Sequence, residues 1–104
     1  MIVRLWRGRA RRERADAYQA YVVTAVFPKL VAIDGYVGGR VLRRDTGTDV
    51  EFLVVTEWAS WDAIRAFAGG RPEVAVIEPD ARAMLTDVDE HVRHFAVAHE
   101  SRRA

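Results

Sequence analysis

The chain has 104 residues, half of them hydrophobic, with a formal net charge of +1 and no cysteine. A chain of this length makes one domain that buries only about 60–70% of its unfolded surface, so association is a natural way to bury more. The balanced charge gives no reason to expect a nucleic-acid partner, and the lack of cysteine excludes disulfides, thiolate nucleophiles and Cys-ligated metals.

The opening "IVRLWR" is β-branched and aromatic and predicts a strand over about residues 2–8. Arg7, Arg9, Arg11, Arg12 and Arg14 crowd the stretch after it. Without interleaved aromatics this reads as a solvated loop rather than a phosphate-binding arm. "MIVRLWRGRARR" lacks the long apolar centre of a signal peptide, and no apolar run approaches the ~20 residues of a membrane span. The expectation is a cytoplasmic protein without a membrane partner.

Between Arg14 and Phe27, residues Tyr18, Tyr21, Val22 and Ala25 fall on one face of a helix. Pro28 lacks a backbone donor, so the helix should kink or end there and reach Gly35 irregularly. "GYVGGRVLRR" predicts the second strand, Gly38 and Gly39 marking a bulge or a close backbone approach. "DTGTD" is turn chemistry and "VEFLVVTEW" the third strand. Val50, Phe52, Val54, Thr56 and Trp58 share its almost wholly apolar face; Glu51, Leu53, Val55 and Glu57 share the half-apolar one. Both faces expect cover.

Ser60 is placed to cap the next helix, with Asp62 adding negative charge to its first turn. Trp61, Ile64, Phe67 and Ala68 form its buried stripe, and Gly69, Gly70 and Pro72 stop it. A shorter helix over "EPDARAML" and a last strand over "EHVRHFAV" follow. The order is that of an α+β, ferredoxin-like split βαβ sandwich with a four-stranded antiparallel sheet. Residues 1–98 make this single domain and residues 99–104 a polar, frayed tail. Helices cover one sheet face in such a sandwich. The other is partly apolar here, so a homodimer through the open sheet face is expected.

Four stretches carry a family resemblance: "IVRLWRG", the Tyr-rich helix with Pro28 and Gly35, "EFLVVTEWASWDAIRAFAG", and "VRHFAV". Through them the chain resembles, over nearly its whole length, the antibiotic biosynthesis monooxygenase-like family of dimeric α/β-barrel proteins. These stretches mark the fold more than any chemistry. The resemblance implies one of three things: a cofactor-free oxygenase of aromatic or polyketide-like compounds, a haem-degrading enzyme, or a small dimer without a reaction. In the oxygenases it implies that an acidic substrate loses a proton and its carbanion reduces oxygen, the protein supplying a dry pocket, a hydrogen-bond partner and donors for oxyanion charge.

Trp58 matches a pocket tryptophan of the anthrone-oxidising members, while Val54 stands where they have asparagine. The haem-degrading set of asparagine, tryptophan and histidine is not met. Phe67 and Ile77 occupy the latter two places, and the chain contains no asparagine.

Trp58 and His94 are thus the candidate catalytic residues, the first as an indole donor at a strand end, the second as a base near its ordinary pKa. Core packing of Trp58 and a hydrogen-bonded interior or interface His94 stand as the alternatives. Tyr18 and Tyr21 offer phenols to a substrate. Val54, Thr56, Ile64 and Phe67 complete an apolar pocket between sheet and helices, with Arg82 at its mouth to offset anionic charge. Each has a plainer reading as core or surface. His91 and His94 fall on opposite strand faces, so no metal pair is expected. "DVDE", residues 87–90, reads as a solvated loop, and "GYVGGR" has neither the spacing nor the context of a dinucleotide loop. The expected occupant is an apolar or aromatic small molecule, with no cofactor.

Overall fold

A computed structural model of the protein describes residues 1–103. Strand β1 (Ile2–Arg11) runs past its expected end. The reason is electrostatic: Arg7, Arg9 and Arg11 lie opposite Leu53, Glu51 and Asp49, and Arg7 Nε meets Glu51 at 2.6 Å. The arginine-rich stretch is therefore strand and first helical turn, not a loop. Arg9 pairs with Asp87 at 3.1 Å, which likewise draws the acidic "DVDE" stretch onto the sheet edge.

Helix α1 (Arg12–Tyr21), a π-helical segment (Val22–Val26) and helix α2 (Phe27–Val31) follow without a break. The expected interruption at Pro28 becomes a widened turn ahead of it. Proline in the first turn of α2 needs no N–H partner, and the π-helical turn gives its ring room. Tyr18 and Val22 are buried on the inward face, and Ala15 joins them one turn earlier.

Strands β2 (Tyr36–Asp45) and β3 (Asp49–Trp58) form a long antiparallel hairpin. Its register slips between Tyr36 and Gly38, the expected bulge. Gly39 is the close approach. A Cβ there would come within 2.7 Å of the Tyr36 hydroxyl and 2.9 Å of the Phe27 ring.

Helix α3 (Trp61–Ala68) begins where expected, Ser60 Oγ accepting from the Ala63 amide at 3.1 Å. Its buried stripe differs from expectation. Ala63 and Ile64 are sealed and Phe67 is half-buried, but Trp61 is 42% exposed, packing beside His94 at 4.8 Å between ring centroids.

After helix α4 (Pro79–Met84), the final strand is split into β4 (Asp87–Val88) and β5 (Arg93–Ala96). Residues 90–92 leave β1 to pair with another segment: Ala75 donates to Glu90 and Val92 to Glu73, each at 2.9 Å. The sheet consequently has five antiparallel strands in four positions, ordered β2-β3-β1-β4, with β5 also on β1. This is the α+β ferredoxin-like sandwich, with one edge strand broken. The tail does not project. Glu100, Ser101 and Arg102 lie beside Gly39, Arg40 and Glu57.

Two apolar clusters fill the space between sheet and helices. One gathers Ala10, Ala15, Tyr18, Val22, Val50, Phe52 and Ala81; the other gathers Leu30, Trp58, Ala63 and Ile64. They sit at opposite ends of the inner face of β3, because Val50 and Phe52 start that strand and Trp58 ends it. The paired rows Trp6–Val54 and Arg4–Thr56 lie between them. Packing is incomplete there.

Candidate functional site

The gap between the two clusters is a half-enclosed cavity of about 80 Å³. Arg4 and Trp6 from β1 and Val54 and Thr56 from β3 form its floor. Tyr18, Tyr21 and Val22 wall one side and Phe67 the other, while the segment Val76–Glu78 closes over it. The lining is mostly apolar. Gly8 makes the floor possible: a Cβ there would run into the Trp6 ring, so glycine lets that indole lie across the strand. The Trp6 indole nitrogen is already used, donating to the Asp89 carbonyl at 2.9 Å.

Tyr18 packs edge-on against Phe52 at 5.0 Å, and burial pushes its phenol pKa well above the ordinary value. It is a proton donor at neutral pH, not a base. Tyr21 is raised as well, by burial and then by Glu78 and Asp80. Arg4 is the unusual member. It is 4% exposed, and burial lowers its pKa to about 10, so it still carries its charge at neutral pH.

The Arg4 guanidinium donates from Nη1 to the Pro72 carbonyl at 2.5 Å and from Nη2 to the Val74 carbonyl at 3.2 Å. Nη1 also stands 3.0 Å from His94 Nε2. Arginine has only donors, so His94 must accept there and carry its proton on Nδ1. Burial, then the Arg4 charge, holds the His94 pKa below its ordinary value, with Glu73 opposing.

Of the residues singled out from the sequence, the fold gathers Tyr18, Tyr21, Val54, Thr56 and Phe67 around the cavity. Trp58, Ile64, His94 and Arg82 lie outside its lining. Trp58 is fully buried one layer back, stacked on Phe67 at 5.9 Å, its indole N–H spent on Thr56 Oγ1 at 2.9 Å. Ile64 is sealed in the Trp58 cluster. His94 stands behind Arg4 rather than facing the cavity. Arg82 is an exposed partner of Glu90 at 2.6 Å, and Ala81 beside it turns inward instead.

Sequence reasoning missed Arg4, Trp6 and the Val76–Glu78 cover. The available signal was the alternation of Ile2, Arg4, Trp6, Gly8 and Ala10, which sets one charge in an otherwise apolar strand face.

The same fold occurs in solved proteins. A candidate antibiotic biosynthesis monooxygenase from Bacillus cereus matches with a TM-score of 0.70 at 13% identity, over 100% of this chain and 97% of that one. Another candidate of that kind, from Deinococcus radiodurans, matches at 0.68 and 13% identity, over 100% and 99%. The haem-degrader MhuD from Mycobacterium tuberculosis, with two haems in its active site, matches at 0.61 and 20% identity, over 97% and 99%. At these identities the likeness is one of fold. No protein-family model and no curated protein sequence matches the chain.

Proposed function

We propose that the protein is a cofactor-independent monooxygenase of a small aromatic or polyketide-like compound, bound in the cavity between sheet and helices and working as a homodimer. The observation that carries this reading is a half-enclosed, mostly apolar cavity holding a buried cation, Arg4, and a phenol kept protonated, Tyr18. An ionisable carbon acid placed there gains stabilisation of its anion from the guanidinium in a medium that excludes water. The proton leaves to solvent at the cavity's open mouth, the carbanion's electrons reduce dioxygen, and Tyr18 can donate a hydrogen bond to the developing oxyanion. For an anthrone-like methylene the balance is one substrate and one dioxygen giving one quinone and one water. No external reductant is needed.

The test is an oxygen electrode with quinone absorbance followed in parallel. One dioxygen consumed per quinone formed, dependent on protein, supports the reading. Saturable binding with no oxygen uptake favours a second reading, a non-enzymatic ligand-binding dimer. One observation favours that second reading: none of the buried side chains lining the cavity is a carboxylate or a free imidazole ready to take a proton.

A porphyrin does not fit the residues present. Phe67 and Ile77, both lining the cavity, stand where the resemblance to the haem degraders needs tryptophan and histidine, and the chain has no asparagine. Haem incubated with the protein and a reductant should keep its Soret band as it does without protein.

A further inference from the structure

We infer that the cavity selects a small aromatic anion, whose carboxylate or phenolate oxygen is received by the guanidinium of Arg4. This inference rests on reading the cavity as a ligand site and gives that ligand a charge. A buried ion is ordinarily paired, because removing it from water costs several kcal/mol. Among the described residues Arg4 takes part in no ion pair although it is buried; the other arginines without one, Arg11, Arg14, Arg40, Arg93 and Arg103, are all exposed to water. Glu78 borders the same cavity but is exposed and makes no ion pair with Arg4.

Two carbonyls and a neutral imidazole hold the guanidinium in place, engaging three of its five N–H groups. None of these partners supplies negative charge. The Phe67 ring lies 5.6 Å from the guanidinium carbon and itself borders the cavity. Its face softens the burial of the cation without neutralising it. Two donors remain for a hydrogen-bond acceptor, and Arg4 borders a cavity whose mostly apolar lining suits a ring. Pinning the Pro72–Val74 segment alone would need only neutral donors.

The experiment titrates the native protein with benzoate and with benzamide, equal in shape and different in charge, and with 4-nitrophenol, whose anion alone is yellow. Benzoate should bind about ten- to a hundredfold more tightly than benzamide, the range expected of a charge-assisted pair. Bound 4-nitrophenol should ionise at lower pH than it does free. Arg4→Met should remove both effects, so that benzoate binds no more tightly than benzamide and the nitrophenol shift disappears. A preference for benzoate without the nitrophenol shift assigns the site to carboxylates, and the reverse assigns it to phenolates; both keep Arg4 as the anion receptor. Benzamide binding as well as benzoate, with no nitrophenol shift, overturns the inference but spares the cavity as a ligand site. If none of the three probes binds, both are overturned. Should Arg4→Met fail to fold, the native comparison still decides.

Discussion

Strand β3 shows how one alternating sequence meets two different solutions. On its inner face Val50, Phe52 and Trp58 are sealed by the chain's own helices, and Val54 and Thr56 border the cavity. On its outer face Glu51, Leu53, Val55 and Glu57 are all half-buried. That outer surface is itself divided. Arg7 and Arg44 clamp Glu51 at 2.6 Å each toward one end, while Val3, Leu5, Leu42, Val55 and Phe95 make an apolar strip toward the other, flanked by Arg40 and Arg93 in the row of Leu5 and Val55, with Phe95 50% exposed. The inner face is finished within one chain, and the outer face has a finished charged half beside an unfinished apolar one.

Substitution to alanine should separate the two faces most sharply. Trp58→Ala deletes a fully buried ring stacked on Phe67 and edge-on to Tyr36, and should cost about 3–5 kcal/mol in urea unfolding. Leu53→Ala removes a half-buried side chain and should cost about 1 kcal/mol or less when the protein is dilute. Equal losses would mean that the outer face is as closed as the inner one.

The second contrast concerns assembly. The proposed homodimer covers the apolar half of the outer face, so the native protein should scatter light as a dimer at micromolar concentration. Phe95→Asp should shift it to a monomer without unfolding it, because Phe95 is 50% exposed in the single chain and burying a carboxylate in the interface is costly. A native monomer mass would end that proposal and leave the patch unexplained.

A finer probe compares an indole with a phenyl ring at one buried site. Trp58→Phe keeps most of the apolar volume but deletes the N–H that Thr56 Oγ1 accepts at 2.9 Å. The expected loss is about 1–2 kcal/mol, from an unsatisfied hydroxyl and a small void. Because Phe67 stands between Trp58 and the cavity, ligand binding should change only through Thr56. A loss of binding far larger than the loss of stability would restore Trp58 to direct contact with the ligand.

Most of the architecture was legible because period and punctuation agreed. The alternation of β3, the cap at Ser60 and the bulge at Gly38 each rest on local chemistry that survives folding. The final strand was misjudged where long-range pairing overrode local pattern, residues 90–92 turning to the Glu73–Ala75 segment. The site was less legible for a related reason. Strand β1 alternates Ile2, Arg4 and Trp6 with Val3, Leu5 and Arg7, and each set has two apolar residues and one arginine. Those six residues alone do not say which arginine is buried; only their continuation, Gly8 and Ala10 on one face against Arg9 and Arg11 on the other, favours Arg4. Pairing decides it, setting Arg4 opposite Thr56 on the covered face and Arg7 opposite Leu53 on the open one.

The smallest expected effect is the pH response of the imidazole behind Arg4. His94 meets the Arg4 guanidinium at 3.0 Å from β1 and the Trp61 ring from α3, with Glu73 the only carboxylate acting on its pKa. Burial and the Arg4 charge hold its pKa below the ordinary value of 6.5 in the folded protein, whereas the unfolded chain titrates near that value. Between the two values the unfolded state binds more protons, so stability is full above about pH 6.5 and falls as pH drops through the folded value. Glu51, Glu73 and Glu90 have lowered values, so their losses come below the carboxylate value of 4.5, in a separate window. Thermal melting between pH 7 and 5 should therefore show a modest decline in the native protein. His94→Gln keeps an acceptor for Arg4 but cannot titrate, and its decline should be flatter. His94→Phe removes the acceptor, so it should lower stability at every pH and weaken benzoate binding that Gln retains. If Gln and Phe behave alike toward benzoate, His94 is packing material and Arg4 is positioned by Pro72 and Val74 alone.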